Sequence, residues 1–270
     1  MKILLLITEI NLLFYKLIKL LFTTKKIVFV FQAGKVGSHS ACNFLKESER
    51  VIVFHDHHFS LTHNKMRNKK YLDIRALYLA FLLGKKINII TPIRDPIERN
   101  ISMFFNQMLT MPKLYKFNKK FKFNRARLRQ KFITEFNHEY FLNWFQNNIL
   151  NNFHIDVYSK PFNKKKGYQT YDWHNFDENK LKADHHENFI NRKKNIKILI
   201  YQSELNNNIK KKIIANFLNI QLNTKLENVN LTSKKYKNFS IKYIRNDIKK
   251  TLPIKLINYY LVSKFSRHFY

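Results

Sequence analysis

The chain has 270 residues, a length that fits one domain built around a single large core. It carries 50 lysine and arginine residues against 18 aspartate and glutamate residues, a formal net charge of +32. Its single cysteine, Cys42, excludes an intramolecular disulfide and a zinc site made of cysteines. With only 4 glycines and 5 prolines, the composition argues against long disordered tracts.

The charge excess has two readings. An anionic partner such as nucleic acid, a membrane surface or an acidic glycan would favour it. The chain is also rich in Lys, Asn, Ile, Phe and Tyr, which A/T-heavy codons encode, so biased base composition can supply many of the lysines. Codon bias explains the shortage of acidic residues less well. Both readings stay open, because net charge bears on association rather than on fold.

The N-terminal segment 3–22 is mostly apolar but is interrupted by Glu9, Lys16 and Lys19. Each charge at the centre of a membrane-spanning helix costs about 2.5–3.5 kcal/mol, and no small-residue cleavage site follows. The segment therefore predicts an amphipathic helix within residues 1–25 that packs on the domain or lies at a membrane interface. Residues 26–270 are expected to form one domain.

Alternating apolar runs and helical patterns follow along the rest of the chain. Strands are predicted at 26–32, 51–55, 86–91, 153–158 and 194–202. Helices are predicted at 38–49, 71–83, 96–109 and within 131–150, with a basic stretch at 111–130 and further helices after 202. The alternation predicts an α/β fold in which helices cover both faces of a parallel sheet, with a helical insertion.

The first strand runs into a short glycine-bearing turn that precedes a predicted helix. Such a turn is typical of phosphate binding, because free N–H groups and the positive dipole end of a helix attract anions. The order of residues is not that of a nucleotide triphosphatase loop, since Lys35 precedes Gly37 and no Gly-Lys-Ser/Thr run occurs. The candidate phosphate contacts are Gly34, Lys35, Val36, Gly37, Ser38, His39 and Ser40.

The strand predicted at 86–91 is also followed by a well-marked helix start. Asp95 suits the N-cap, Pro96 the first helical position, and Glu98 completes a capping-box pattern. Arg94 is expected at the carboxyl end of the strand, where open parallel sheets bind ligands. Together with Ser102, about two turns into the helix, it predicts a second grip on a phosphate.

Both stretches resemble the sulfotransferases that use 3′-phosphoadenosine-5′-phosphosulfate. Lys35–Ser40 is similar to the K-x-G-[ST]-x-S-like loop of that superfamily, with His39 where Thr or Ser is frequent, and Arg94–Ser102 is similar to its R-D-P-x-x-R-x-x-S motif. The chain looks like a bacterial branch described as putative capsular polysaccharide synthesis proteins. The resemblance implies a P-loop-like sheet, the 5′-phosphosulfate in the loop, and the 3′-phosphate at Arg94 and Ser102.

The resemblance further implies an enzyme that transfers a sulfuryl group to a hydroxyl of a carbohydrate or capsular polysaccharide precursor, without a metal. Lys35 is placed to neutralise charge on the bridging oxygen as the bond breaks. The candidate general bases are His57, then His55, with His58 beside them; a surface cluster of histidines is the alternative. Lys234–Tyr236 is a further candidate for closing over the nucleotide. The expected location is the cytoplasm, with peripheral contact at the inner face of the membrane.

Two other functions remain open. A P-loop small-molecule kinase would share the strand–loop–helix, although the sequence offers no obvious aspartate for Mg²⁺ at a strand end. A non-enzymatic binder of an anionic surface or nucleic acid would use the net charge and would need neither Lys35 nor Arg94. Nucleic acid is not the expected partner under the sulfotransferase reading.

Overall fold

The computed structural model describes residues 2–57, 69–111, 124–153, 155–172, 195–221 and 241–270. The strands are β1 (Lys26–Phe31), β2 (Val51–Asp56), β3 (Ile87–Ile93), β4 (Tyr168–Asp172) and β5 (Ile196–Gln202). The α-helices are α1 (Lys2–Phe22), α2 (Ser38–Lys46), α3 (Lys69–Leu82), α4 (Pro96–Thr110), α5 (Arg125–Thr134), α6 (Glu139–Leu142), α7 (Asn151–Phe153), α8 (Asn207–Leu218), α9 (Ile241–Lys250), α10 (Ile254–Leu261) and α11 (Lys264–Phe269). A π-helix occupies Phe145–Leu150, and a 3-10 turn occupies Val157–Ser159.

The five strands form one sheet in the order β2-β1-β3-β5-β4. The first four in this order are parallel, and β4 joins β5 as an antiparallel edge strand. In the register, Phe29 lies between Phe54 of β2 and Ile89 of β3, and Ile89 lies opposite Ile198 of β5. The predicted fold class is confirmed: the protein is α/β, with a mostly parallel sheet flanked by helices.

Alternate residues of β1 point into two separate cores. Phe29 and Phe31 belong to a core with α1, α3 and the C-terminal helices, where the Phe31 ring lies 4.8 Å from that of Trp144. Val28 and Val30 belong to the opposite core, which α2 and α8 cover. Because both faces of β1 are buried, the strand is a continuous apolar run rather than an alternating one.

Helices α4, α5 and α9 enclose a third apolar cluster at one end of the sheet, which corresponds to the predicted helical insertion. Its centre contains Phe104, Phe132 and Ile248, each fully buried, and the rings of Phe104 and Phe132 lie 5.4 Å apart. Helix α9, which comes late in the chain, thereby packs against α4. This packing brings basic side chains of α9 to the end of β3.

Helix α1 lies along α3, and Lys16 forms an ion pair with Asp73. Leu20 is buried, and Leu13 and Leu17 pack against the same core, so one face of the helix is joined to the domain. Among the described residues, no helix has both the length and the apolar character that crossing a bilayer requires.

The local structure differs from the sequence predictions at two places: one predicted strand is absent, and one observed strand was not predicted. The strand predicted at 153–158 is absent, because the Asp156 side chain accepts a hydrogen bond from Tyr158 N (2.9 Å) and starts the 3-10 turn. Strand β4 was not predicted, since only Tyr171 of its five residues is buried and the strand shows no apolar pattern.

The docking of α9 can be tested with a pair of identical substitutions. Ile248→Ala removes a fully buried side chain of the third cluster, so we expect it to lower the free energy of unfolding by about 2–4 kcal/mol. Ile254→Ala, at a position that is 76% exposed, is the matched control and should change it by less than about 0.5 kcal/mol. Denaturant titration measures both; equal effects would contradict the placement of α9.

Candidate functional site

The loop between β1 and α2 has an unusual backbone. Gly34, Lys35 and Gly37 have φ values of 83°, 61° and 86°, all in the left-handed region. Lys35 pays a steric penalty there that glycine avoids, so its surroundings must hold it in place. Successive residues of mixed hand turn backbone N–H groups into a concave nest that suits an anion. Gly37 is the N-cap residue of α2 and makes no side-chain capping hydrogen bond.

Gln32 holds the loop from the side of β2. Its amide oxygen accepts a hydrogen bond from the Gly34 N–H, which fixes the orientation of the amide. The amide nitrogen therefore donates to Ser38 Oγ (2.8 Å) and lies 2.6 Å from His57 Nδ1. The same Nδ1 lies 3.2 Å from the backbone carbonyl oxygen of Gln32, so two contacts join this ring to Gln32. Gln32 is fully buried, so this network is part of the scaffold of the loop.

Three histidines stand in a row beside the loop. The His55 ring centroid lies 5.1 Å from that of His39 and 5.0 Å from that of His57. His55 Nε2 is 3.0 Å from Ser38 Oγ, and Trp144 Nε1 donates to the carbonyl of His57 (2.9 Å). Of the two candidate bases, His55 thus contacts Ser38 at the start of α2, and His57 contacts Gln32. His58 lies outside the described residues.

Arg99 of α4 holds the loop from the opposite side. Its guanidinium donates to the carbonyl oxygens of Gly34 (3.1 Å, from Nε) and Ala33, and to Oδ1 of Asn100 (2.7 Å). The ring of Phe141 lies 4.7 Å from its central carbon. Arg99 is fully buried and forms no ion pair within the described part of the chain, and burial lowers its pKa to about 10. Carbonyl oxygens and the face of an aromatic ring thus stabilise the positive charge of Arg99, where another protein would use a carboxylate.

The contact between loop and helix is close. A Cβ atom added at Gly34 would lie 2.9 Å from Cε of Met103, one turn after Arg99 on α4. The φ of 83° favours glycine at this position, and a side chain there would also displace the end of Met103. The two motifs that the sequence places 60 residues apart pack directly on each other. Sequence reasoning recognised Arg99 only as a motif position and assigned it no contact.

The start of α4 confirms half of the predicted capping box. The Asp95 side chain accepts a hydrogen bond from Glu98 N (2.8 Å), and Pro96 is the first helical residue. The reciprocal hydrogen bond of a capping box, from Asp95 N to the Glu98 side chain, does not form. Asp95 N donates instead to Oε1 of Glu204, after the end of β5 (2.9 Å). The Glu98 carboxylate is left to bind cations. The start of α4 is thus fixed to the neighbouring strand as well as by its own cap.

Three cations surround Glu98. Lys249 Nζ lies 2.7 Å from its carboxylate, Arg94 Nη2 3.4 Å and Arg245 Nη2 3.7 Å. Burial alone would raise the pKa of Glu98, but the hydrogen bond from Lys249 and the charges of Arg94 and Arg245 outweigh it and lower that pKa. These three cations outnumber the two carboxylates beside them, those of Glu98 and Asp95, which leaves an excess of positive charge at the carboxyl end of β3.

A cavity of about 300 Å³ lies between the start of α2, the ends of β3 and β5, and α8. Lys210 of α8 is mostly buried beside it and donates to the carbonyl of Ser203 (3.1 Å). Burial lowers the pKa of Lys210, and nearby Glu204 opposes this shift. The residues that line the cavity are Val36, Gly37, Ser40, Ala41, Arg94, Tyr201, Ser203, Glu204 and Lys210.

The structure brings some of the predicted residues together and leaves others aside. Arg94 shares the cavity with loop and helix residues Val36, Gly37 and Ser40. Six other predicted residues do not line the cavity: Gly34, Lys35, Ser38, His39, His55 and His57. Ser102 is buried on α4, one turn beyond Glu98, and does not line the cavity. Lys234–Tyr236 lies outside the described residues.

Three basic residues of the site were not predicted. Lys210 comes from α8, and Arg245 and Lys249 come from α9. Arg245 and Lys249 are four residues apart, so they share one face of α9. In a chain with this many lysines, that spacing does not show which face returns to the end of β3.

Comparison of the chain with models of known protein families, with curated proteins and with solved structures finds no match. An α/β sheet of this kind supports many unrelated activities. The function is therefore argued from the side chains and charges of the site.

Replacing Arg99 tests the contact between the loop and α4. Arg99→Met keeps much of the side-chain volume but leaves the carbonyls of Ala33 and Gly34 without their donor, so we expect the free energy of unfolding to fall by about 2–4 kcal/mol. Arg267→Met, at an exposed arginine of α11, is the control and should have little effect. Equal stability of the two variants in urea would show that Arg99 does not hold the loop.

The Glu98 cluster predicts an acid-sensitive contribution to stability. Because the folded-state pKa of Glu98 is lowered, its contribution is complete above about pH 4.5 and is lost as the pH falls through the folded-state value. Glu98→Gln should lower stability at neutral pH and flatten its decline below pH 4.5, whereas exposed Glu49→Gln should leave the decline unchanged. Urea titrations across this range measure the slope; a Glu98→Gln slope equal to that of the wild type would contradict the assignment.

Proposed function

We propose that this protein is a sulfotransferase that moves a sulfuryl group from 3′-phosphoadenosine-5′-phosphosulfate to a hydroxyl of a carbohydrate or capsular polysaccharide precursor. The observation that supports this most is the shared cavity, in which the start of α2 and Arg94 face each other across the carboxyl edge of the sheet. The two motifs that resemble the sulfotransferase nucleotide contacts thus occupy one place in the fold.

The position of the cavity suits a nucleotide. Starting from β1, the strand order runs to β2 on one side and to β3 on the other, so the two neighbours of β1 diverge at its carboxyl end. In open α/β sheets, ligands bind in the crevice at such a reversal of strand order. The loop after β1 and the residue after β3 form the two walls of this crevice.

The charges suit a donor that carries phosphates at both ends. Arg94, Arg245, Lys249 and Lys210 provide four cations, against the carboxylates of Glu98, Asp95 and Glu204. A nucleotide phosphate would be attracted to this excess, and the arginines offer planar donor pairs for its oxygens. Glu98 already shows that an anion beside Arg94 is bound by three side chains, two from α9 and one from the end of β3.

Each residue of the proposal has a role that follows from its place. The loop N–H groups around Gly37 and Ser38 would hold the 5′-phosphosulfate, and Arg94 would hold the 3′-phosphate; Ser102, which the resemblance pairs with Arg94, does not line the cavity. The donor supplies the sulfuryl group and a phosphate leaving group, and Lys35 would neutralise charge on that leaving group. Transfer of this kind needs alignment and charge stabilisation, which a rigid loop provides.

Both histidines are proposed to take the proton of the acceptor hydroxyl, with His57 first and His55 second, as expected from the sequence. Nδ1 of His57 lies 2.6 Å from the Gln32 amide nitrogen and 3.2 Å from the Gln32 carbonyl oxygen, so Gln32 orients this ring. Nε2 of His55 lies 3.0 Å from Ser38 Oγ, which can donate or accept.

Nucleotide binding is the direct test. We expect 3′-phosphoadenosine-5′-phosphate at about 100 times its Kd to raise the melting temperature of the wild type by about 5 °C. Arg94→Ala should weaken binding at least about tenfold, since it removes a charge-assisted contact to a phosphate, and Arg267→Ala should bind like the wild type. Thermal melting with and without nucleotide measures the shift, and calorimetric titration measures Kd.

The same experiment separates the alternatives. Stabilisation by ATP with Mg²⁺ and none by 3′-phosphoadenosine-5′-phosphate would favour a kinase. Stabilisation by neither nucleotide, together with salt-sensitive binding of polyanions that Arg94→Ala leaves intact, would favour a binder driven by charge. Either result would overturn the proposal.

A further inference from the structure

A second and larger cavity, of about 590 Å³, lies at the amino edge of the sheet, opposite the candidate site. It is formed by the turns that enter β1 and β3, the start of β5 and the end of α8. Five lysines line it: Lys25, Lys26, Lys85, Lys86 and Lys197. Asparagine side chains complete its polar wall, among them Asn195 and Asn219.

Within the described residues, the wall of this lysine cavity contains no aspartate or glutamate. Five ammonium groups around one space repel each other, and nothing in the wall offsets that repulsion. A phosphate group would offset it, since ammonium groups and amide N–H groups both donate to phosphate oxygens. The cavity therefore has the composition of an anion site.

Helix α1 carries an apolar stripe on the side that faces away from the domain. Ile7, Ile10, Phe14, Ile18 and Phe22 recur at intervals of three and four residues, so they lie on one face. All five are exposed, Phe14 by 61% and Phe22 by 82%. The opposite face of α1 packs on the core, so folding of the domain does not account for this second apolar face.

The stripe and the lysine cavity are continuous. Phe22 is the last residue of α1, and three of the next four residues line the cavity: Thr23, Lys25 and Lys26. Leu83, which is 60% exposed, stands next to Gly84 on the wall from the α3 side. Exposed apolar side chains thus border a cationic space, an arrangement in which one partner can offer hydrocarbon and negative charge together.

We propose that this face binds the surface of an anionic lipid bilayer, with the α1 stripe inserted among the acyl chains and the lysine cavity holding a phosphorylated headgroup. A second copy of the chain fits less well, because a two-fold contact would place the lysine cavities of both copies near each other. Nucleic acid or a polysaccharide would match the lysines but would leave the phenylalanine and isoleucine side chains in water. A bilayer with anionic headgroups meets both features.

The proposed orientation leaves the candidate site accessible. The lysine cavity lies at the amino ends of the strands, and the cavity beside Arg94 lies at their carboxyl ends. A strand of six residues separates the two edges by roughly 20 Å. Docking at the amino edge therefore does not cover Arg94, and this inference does not depend on the sulfotransferase proposal.

Vesicle co-sedimentation of the full chain tests this proposal. We expect binding to phosphatidylcholine vesicles that contain roughly a quarter phosphatidylglycerol to be at least about tenfold tighter than to phosphatidylcholine alone. The triple variant Lys85→Gln/Lys86→Gln/Lys197→Gln should weaken binding to the acidic vesicles at least about tenfold. The double variant Phe14→Ser/Phe22→Ser should weaken it by a similar factor through loss of insertion, at roughly 0.8 kcal/mol per buried CH₂.

The loop before β4 provides a control of equal charge. Lys164→Gln/Lys165→Gln/Lys166→Gln also removes three lysines, all of them exposed, from the carboxyl side of the sheet, and should retain most of the binding. Circular dichroism and melting confirm that each variant is folded. Equal losses in the two triple variants, or equal binding to neutral and acidic vesicles, would overturn the proposal. So would a phenylalanine variant that binds vesicles normally but loses a dimer seen by light scattering.

Discussion

The buried guanidinium of Arg99 is the contact on which the carboxyl edge of this protein depends. By donating to the carbonyls of Ala33 and Gly34, it fastens the loop after β1 to the helix after β3. The loop contains a lysine in the left-handed region, a conformation that persists only where neighbours over-determine it. Gln32 and Arg99 supply those neighbours from opposite sides. The two motifs consequently behave as one unit, and the cavity between α2 and Arg94 has fixed walls.

Local patterns predicted the elements that carry this unit. The apolar runs of β1 and β3 lie close to their predicted positions, and Asp95 with Pro96 starts α4 as its residue types indicate. Polar edge strand β4 could not be predicted, since only tertiary pairing with β5 makes it a strand. The segment 153–158 shows the reverse case, in which an apolar run was outweighed by the side-chain bond of Asp156.

The site was predictable only as far as its local motifs reach. Gly37 and Arg94 stand in recognisable strand–turn–helix contexts, and the structure places them at one cavity. Lys210, Arg245 and Lys249 arrive from late helices by long-range packing, which no spacing in the sequence encodes. The same limit applies to charge. Codon bias can supply many lysines, but it does not explain why lysines converge on one cavity without acidic residues, or why cations outnumber acids beside Arg94.

We propose that one nucleotide with two phosphate-bearing ends bridges the loop after β1 and Arg94. A crystal structure of the protein with 3′-phosphoadenosine-5′-phosphate tests this most directly. We expect the 5′-phosphate within hydrogen-bond distance, about 3 Å, of the backbone N–H groups of residues 37–39, and the 3′-phosphate against the Arg94 guanidinium. A nucleotide bound elsewhere, or one that contacts the loop with its 3′-phosphate far from Arg94, would contradict it.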